Sequence, residues 1–345
     1  MQLAQGEPVG YPASMSYSIE RRLAVEAVER ASRLCRRVQQ ELVSGSSLSK
    51  DDKSPVTVAD FGAQAVVSHC LATALPDVPL VGEEDAAALR QPENEGLAAK
   101  VVSAVQESVP ELEKAEILNL IDRGTFEGGA SGRHWTLDPI DGTKGFLRLD
   151  QYAVALALIE DGELVMGALG CPNLLVDAAQ PEGPRGCLFI AVKGEGSFMR
   201  PLDGGDEQPI HVTDIDRGAD ANLCESVEAG HSSQSDTARV AEMLGISSPP
   251  FRIDSQCKYA AVARGDASIY LRLPTRKDYE EKIWDHAGGS MVVSEAGGRI
   301  SDVDGQPLDF SLGRTLRNNT GVVVTNGHVH DEVVAAVKKV LGRAG

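Results

Sequence analysis

Carboxylates next to apolar segments are the feature of this sequence that points most directly to chemistry. Asp138 and Asp141 lie in the segment WTLDPIDGT, between an apolar strand and a second apolar segment. Buried carboxylates need a countercharge. Pro139 fixes its own φ and Gly142 permits a tight bend, so the two carboxylates can converge with the carbonyl oxygen of Ile140 between them. An all-oxygen cluster of this kind suits Mg²⁺ better than zinc.

Three further acidic positions could contribute to the same chemistry, and each has a structural alternative. Asp60, in VTVADFG, lies three residues after Thr57 and could complete a capping box at a helix start. Glu83, in LVGEED, could belong to a solvated acidic turn, and Asp285, in KIWDHAGG, could be a helix N-cap. The residues alone leave these alternatives open.

Composition excludes several classes of protein. The chain has 345 residues, with 42% hydrophobic and 24% charged residues, which is ordinary globular usage. A net charge of −18 argues against a surface that grips a nucleic-acid backbone, although a small phosphorylated ligand remains possible. No apolar run approaches the roughly 20 residues that span a bilayer. The six cysteines show no metal-ligand spacing, so we expect reduced thiols in the core.

The N-terminal segment shows no secretory or transit signal, so the expected location is the cytoplasm, with the nucleus as an alternative. Residues 1–16 are predicted to form a flexible tail. Apolar periodicity predicts long helices over 23–42, ended at Gly45, and over 59–75. Short strands at 79–82 and 134–137 then run into Glu83 and Asp138, on either side of a polar, helix-rich insertion from 86 to 130.

A turn at Asp161-Gly162 predicts a hairpin of strands 152–159 and 164–169, and another strand is expected at 187–192. From residue 219 short strands alternate with helices, which is an α/β pattern. The predicted strands are 222–227, 251–254, 267–271 and 321–325, and the predicted helices are 235–244, 286–296 and 331–341. We therefore expect an α+β domain over 17–218 and an α/β domain over 219–345.

Three motifs in order resemble the lithium-sensitive, Mg²⁺-dependent phosphatases, which include inositol monophosphatases and 3′(2′),5′-bisphosphate nucleotidases. They are GEE at 82–84, DPIDGT at 138–143 and WDHAGG at 284–289. The resemblance covers roughly 17–340 and implies a layered α-β-α-β-α sugar-phosphatase fold, of mixed α/β and α+β class, with two subdomains. Further strings resemble the nucleotidase branch, among them TKGFLR at 143–148, EAGHSS at 228–233, DSQCKY at 254–259 and YLRLP at 270–274.

This resemblance implies roles for individual residues. Glu83, Asp138, Asp141, Asp285 and the Ile140 carbonyl would hold two or three Mg²⁺ ions. Asp60 and Thr143 would form a general-base pair acting on water that the metals activate. Residues implied to contact the substrate are Thr143, His231, Ser255, Lys258, Arg272 and Asp285.

The implied activity is hydrolysis of the 3′-phosphate of adenosine 3′,5′-bisphosphate to AMP, and of 3′-phosphoadenylyl sulfate to adenylyl sulfate, with inhibition by Li⁺. The expected partner is thus a small nucleotide, with no nucleic acid and no membrane, and the protein is expected to be a monomer. An inositol phosphate phosphatase that uses the same metals is one alternative. Another is an acidic scaffold that binds divalent cations, which would need the carboxylates but not Thr143 with Asp60.

Overall fold

Two long helices begin the part of the chain that the computed structural model describes, which is 17–44, 54–227, 232–276 and 278–343. Helix α1 (Ser18–Ser44) and helix α2 (Ser54–Ala74) pack against each other, as the apolar periodicity predicted. Helix α2 begins earlier than predicted, so Asp60 lies in its second turn. The predicted flexible tail and the predicted helix end at Gly45 lie outside the described residues.

The first sheet has seven strands in the order of the sequence. Its strands are β1 (Leu80–Gly82), β2 (Arg133–Asp141), β3 (Ala153–Glu160), β4 (Glu163–Leu175), β5 (Arg185–Val192), β6 (Gly196–Pro201) and β7 (Gln208–Pro209). Strands β1 and β2 are parallel, and every later neighbouring pair is antiparallel. The predicted hairpin at Asp161-Gly162 is confirmed, since both residues have positive φ, 51° and 81°.

Strand β2 is longer than predicted and carries both carboxylates of the DPID segment. Its register pairs Asp138 with Ala155 but Asp141 with Ala153, so β2 holds one extra residue between the two aspartates. A bulge of this kind tolerates Pro139 within a strand. The short helix α5 (Thr143–Arg148) follows directly.

The segment predicted as a helix-rich insertion is confirmed. It contains two short 3₁₀ turns, at Ala88–Arg90 and Pro92–Asn94, followed by α3 (Glu95–Gln106) and α4 (Lys114–Asp122). Both helices pack against α2.

The second sheet has the order β11-β12-β10-β8-β9 and mixes parallel and antiparallel pairs. Its strands are β8 (Leu223–Glu225), β9 (Phe251–Arg252), β10 (Ile269–Arg272), β11 (Arg299–Ser301) and β12 (Val322–Thr325). The associated helices are α6 (Gln234–Leu244), α7 (Cys257–Ala263), α8 (Ala287–Glu295) and α9 (His330–Val340). The α/β alternation is confirmed, although helices α5 and α7 and strands β6, β7 and β11 were not predicted.

Five layers result, in the order α1/α2, first sheet, α7/α8, second sheet, α6/α9, which confirms the layered fold. The central strands are buried on both faces, which explains the nearly continuous apolar run of β3. One apolar cluster in the middle layer contains Ala155 and Leu169 together with Tyr259 and Val324. The subdomains therefore share a core, and a boundary near residue 219 stays a prediction.

Burial confirms the prediction that the cysteines lie in the core. All six cysteines are buried and unbridged. Trp135 and Trp284 are both buried and belong to the packed interior. Among the described helices, none is both long and apolar enough to cross a membrane.

Candidate active site

Parallel pairing brings Glu83 and Asp138 to one edge of the first sheet. The register places Gly82 opposite Leu137, so the next residue of each strand emerges side by side. The two carboxyl groups interact directly. Asp138 is only 3% exposed, and none of the described residues donates a hydrogen bond to its Oδ1 atom.

Asp141 and Asp285 line the same cleft. Asp141 precedes Gly142, whose φ of 91° turns the chain into α5. Asp285 ends the 3₁₀ turn Ile283–Asp285, and the residue that caps α8 is His286. The interpretation of Asp285 as a helix N-cap is therefore wrong.

Burial and mutual repulsion raise the pKa of Glu83, Asp138 and Asp141. The pKa of Glu83 is raised to about 8, mainly by burial and then by the neighbouring carboxylates of Asp285, Glu84 and Asp141. Burial and Asp285 raise the pKa of Asp141 to about 6, although Lys258 and Arg272 act against the rise. The pKa of Asp138 is also raised, by burial and by Glu83.

Asp60 is a buried member of the same electrostatic group. It cannot complete a capping box with Thr57, because α2 begins at Ser54 and Asp60 lies inside the helix. Burial, followed by Glu83 and Glu84, raises its pKa, and within the described parts of the chain its Oδ1 atom has no hydrogen-bond partner.

Thr143 is the exposed first residue of α5, which contacts α2. Among the described contacts no hydrogen bond joins its hydroxyl to Asp60. The general-base role of this pair stays a prediction.

Four of the five predicted substrate contacts in the second subdomain are described, and all four, Ser255, Lys258, Arg272 and Asp285, line the cleft with Asp141. Lys258 is 5% exposed, and in the described part of the chain its ammonium makes no hydrogen bond or ion pair. Burial lowers its pKa, which Asp141 and Asp254 counteract. Ser255 has a left-handed φ of 64°, and its hydroxyl accepts the N–H of Cys257 at 3.2 Å. His231 lies outside the described residues.

Arg272, the third contact, is engaged within the protein. Its guanidinium lies 2.7 Å from Glu281 and 3.2 Å from Asp285. Its side chain is only 16% exposed, so Arg272 is not a surface residue.

Glu281, Asp285 and His286 form the one group of three or more acidic, histidine or cysteine side chains in the described chain whose ligand atoms all lie within 4.8 Å of one another. Both nitrogens of His286 are occupied, Nδ1 by the Tyr259 hydroxyl at 2.7 Å and Nε2 by Glu281 at 3.1 Å. Although burial acts in the other direction, His286 and Arg272 lower the pKa of Glu281 to about 2. This group is an internal ion-pair network, since His286 has no nitrogen left for a metal.

Two residues that hold the acidic segments in place were not predicted. Gln256 donates its backbone N–H to Asp141 at 2.5 Å, and its side-chain Nε2 donates to the carbonyl of Trp284, next to Asp285, at 2.9 Å. The guanidinium of Arg314 donates to the carbonyl of Gly82, next to Glu83, at 2.6 Å. It also lies 4.9 Å from the centroid of Trp284.

The local sequence gave only a weak indication that Gln256 and Arg314 position the acidic segments. Gln256 lies inside the DSQCKY string, whereas Arg314 lies in no motif.

A third positioning contact comes from α2. Gln64, one turn after Asp60, donates to the carbonyl of Glu84 at 2.6 Å and accepts its N–H at 3.1 Å. A side chain at Gly82 would clash, since a Cβ there would lie 2.5 Å from the Gln64 Oε1 atom. The glycine of the GEE motif thus permits α2 to approach the loop that carries Glu83.

The donor set fits Mg²⁺. Glu83, Asp138 and Asp141 offer only oxygen atoms, and the buried Asp138 Oδ1 atom has no partner among the residues that the structure describes. Neighbouring carboxylates that repel one another also need a cation before all of them can ionise.

Comparison with known proteins shows the family to which the chain belongs. The model of the inositol monophosphatase family matches residues 16–341. Two relatives are 3′(2′),5′-bisphosphate nucleotidases: that of Schizosaccharomyces pombe is 48% identical over 95% of this chain and 98% of its own. The relative from Emericella nidulans is 49% identical, and the match covers 95% of this chain and 99% of the relative. The chain belongs to the inositol monophosphatase family and, within it, to the 3′(2′),5′-bisphosphate nucleotidase family.

Solved structures show the same fold at low sequence identity. The inositol monophosphatase from Anabaena superposes with a TM-score of 0.60 at 19% identity, covering 93% of this chain and 96% of that one. An inositol monophosphatase from Zymomonas mobilis superposes with a TM-score of 0.60 at 20% identity, covering 94% of this chain and 99% of that one.

Proposed function

We propose that the protein is a Mg²⁺-dependent phosphomonoesterase that hydrolyses the 3′-phosphate of adenosine 3′,5′-bisphosphate to AMP. The same chemistry on 3′-phosphoadenylyl sulfate would give adenylyl sulfate. Relatives that are 48% and 49% identical over nearly their whole length carry the name of this activity. The protein would act as a monomer on a small nucleotide.

The observation that carries the proposal is the presence of acidic and basic groups in one cleft. Asp141, Asp285 and Lys258 all line it, and the nearly buried ammonium of Lys258 makes no hydrogen bond or ion pair with the described residues. Buried charges are normally paired or bound to ions. A metal on the carboxylates and a phosphate on Lys258 would satisfy both kinds of group together.

Two or three Mg²⁺ ions would be held by Glu83, Asp138, Asp141, Asp285 and the carbonyl of Ile140. Bound Mg²⁺ would supply positive charge against the phosphate oxygens and would acidify water at the site. This explains how a protein of net charge −18 can act on a polyanion.

The protein's own groups would then orient and deprotonate the attacking water. The Thr143 hydroxyl would hold the water, and Asp60 would accept its proton at the unpartnered Oδ1 atom. Because its pKa is raised by burial and by Glu83, Asp60 is a stronger base than an exposed aspartate. Lys258, Arg272, Ser255 and His231 would retain the 5′-phosphate, which is not cleaved.

A phosphate-release panel tests the proposal. It compares adenosine 3′,5′-bisphosphate, 3′-phosphoadenylyl sulfate, inositol monophosphate and inositol bisphosphate, with Mg²⁺ and after chelation. We expect Mg²⁺-dependent release with a clear preference for the nucleotides. Preference for the inositol compounds would support the inositol phosphatase alternative, and no release from any substrate would support the cation-binding scaffold.

A further inference from the structure

Glu281 lies at the centre of the buried ion-pair network beside the cleft. Its Oε2 atom lies 2.7 Å from Nη2 of Arg272 and 3.1 Å from Nε2 of His286. The Glu281 side chain is only 7% exposed, so these partners and not water compensate its charge. Arg272 lines the cleft whereas Glu281 does not, so the arginine is the link between Glu281 and a ligand bound there.

His286 and Tyr259 fix the orientation of the Glu281 carboxylate. An ionised carboxylate only accepts hydrogen bonds, so the Nε2 atom of His286 must donate to it. In the neutral ring Nδ1 is then the acceptor, and the Tyr259 hydroxyl donates to it at 2.7 Å. All three side chains are buried, so this chain of hydrogen bonds is shielded from solvent.

Arg272 keeps donors for a ligand while it is held in this way. Both carboxylates that contact it, Glu281 and Asp285, lie against the same nitrogen, Nη2. The Nε atom of Arg272 is buried and, in the described parts of the chain, makes no hydrogen bond. A guanidinium has five N–H donors in a fixed plane, so an anchored Nη2 orients the others. Glu281 therefore aims the arginine without taking up all of its donors.

We infer that Glu281 is a positioning residue for recognition of the second phosphate of the substrate, because it holds the Arg272 guanidinium in the cleft. His286 and Tyr259 in turn hold Glu281. This inference rests on the proposed function, in which Arg272 contacts the 5′-phosphate, and adds to it a residue that touches neither the substrate nor a metal.

Glu281→Gln tests the role of the charge, because glutamine keeps the size and an acceptor oxygen but is neutral. It should reduce kcat/KM for adenosine 3′,5′-bisphosphate roughly tenfold more than for adenosine 3′-monophosphate, mainly through KM. The matched control is Glu280→Gln, since Glu280 is exposed and accepts a hydrogen bond from the Thr315 hydroxyl at 2.8 Å. The control should change kcat/KM for either substrate by less than about twofold.

Binding of AMP and adenosine gives a readout without turnover, since the two ligands differ only in the 5′-phosphate. By calorimetry in Mg²⁺, the wild-type protein should bind AMP more tightly than adenosine. Glu281→Gln should lower the affinity for AMP roughly tenfold and leave the affinity for adenosine unchanged.

A double-mutant cycle separates positioning from a general structural role. If Glu281 acts through Arg272, adding Glu281→Gln to Arg272→Ala should change the preference for the bisphosphate by less than about twofold. The double variant leaves no buried carboxylate without its cation at this site, so its Tm should match or exceed that of Arg272→Ala alone.

Tyr259→Phe is a milder variant, which removes only the hydroxyl that holds His286. It should lower the preference for the bisphosphate about two- to tenfold, the range for loss of one hydrogen bond. An unchanged preference would overturn the part of His286 and Tyr259 in the inference.

Three results would overturn the role of Glu281. One is an equal loss on both substrates in Glu281→Gln, and another is additive losses in the cycle. The third is a lower KM for the bisphosphate in Glu281→Gln, which would mean that Glu281 competes with the phosphate for Arg272. Failure of the proposed function is distinct, because it appears as an absence of phosphate release from the wild-type protein.

Discussion

The backbone N–H of Gln256 donates a 2.5 Å hydrogen bond to the carboxylate of Asp141, 115 residues earlier in the chain. This bond joins the end of β2 in the first sheet to the turn before α7 in the middle layer. The side chain of Gln256 extends the link to the Trp284 carbonyl. One residue thus ties together the segments that carry two proposed metal ligands.

Asp141→Asn should abolish turnover at ordinary Mg²⁺ concentration, because an amide offers a neutral oxygen where charge is needed to hold the metal. The Gln256 hydrogen bond can persist, and the metal-free protein should be as stable as wild type or more so, since one repelling carboxylate is removed. Phosphate release and thermal unfolding in EDTA measure the two effects. Near wild-type turnover would contradict the assignment of Asp141 as a metal ligand.

Asp60→Asn should keep Mg²⁺ binding but lose roughly 10²- to 10⁴-fold in kcat, the range for a positioned general base. The loss cannot come from a broken helix cap, because Asp60 lies within α2. Single-turnover phosphate release reports the chemical step, and Mg²⁺ titration calorimetry is the control. A kcat within about twofold of wild type would exclude the base role.

The metal-free protein should lose stability as the pH rises. The folded-state pKa values of Glu83 (about 8) and Asp141 (about 6) lie above those of the unfolded chain. Their contribution to stability is therefore fully present below about pH 4 and is lost as the pH rises through the folded values.

In EDTA, Tm should accordingly be lower at about pH 8.5 than at about pH 6. Added Mg²⁺ should remove most of this slope, because the ion binds the ionised carboxylates. A Tm that rises with pH in EDTA would show that these acids are not repelling one another.

Arg314→Lys should raise the Mg²⁺ concentration for half-maximal activity by roughly tenfold, as loss of an outer-shell contact does at other metal sites. Lysine keeps the charge near Trp284 but cannot reproduce the planar fork that donates to the Gly82, Gly124 and Phe126 carbonyls. A Mg²⁺ titration of activity, together with Tm in EDTA, separates the two roles. A lower Tm with an unchanged Mg²⁺ requirement would make Arg314 a structural residue only.

Arg272→Ala should reduce kcat/KM for adenosine 3′,5′-bisphosphate about tenfold to a hundredfold more than for adenosine 3′-monophosphate, which lacks the second phosphate. It also leaves Glu281 and Asp285 without their shared cation. Some loss of stability is thus expected and should appear in Tm. An equal kinetic loss on both substrates would mean that Arg272 acts only through these two carboxylates.

Apolar runs bounded by turn residues were sufficient to predict the hairpin of β3 and β4 and most of the second sheet. Apolar periodicity was sufficient to predict α1, because this helix has one buried and one exposed face. It was insufficient for α7, which is buried along its whole length and so shows no polar face. The DPID strand was predicted too short, since a proline usually argues against a central strand and only the bulge accommodates it.

The sequence motifs and their family resemblance were sufficient to identify the acidic residues and their proposed chemistry. Each of these residues lies in a short segment whose residue types already indicate its role. Only the tertiary structure decided how these segments are held. Gln256 bridges 115 residues and Arg314 bridges 232, and contacts that distant leave no local pattern. The same holds for Arg272, whose carboxylate partners lie on the loop and the turn that follow β10. Which charges neutralise each other depends on packing between layers, and that is set by the fold as a whole.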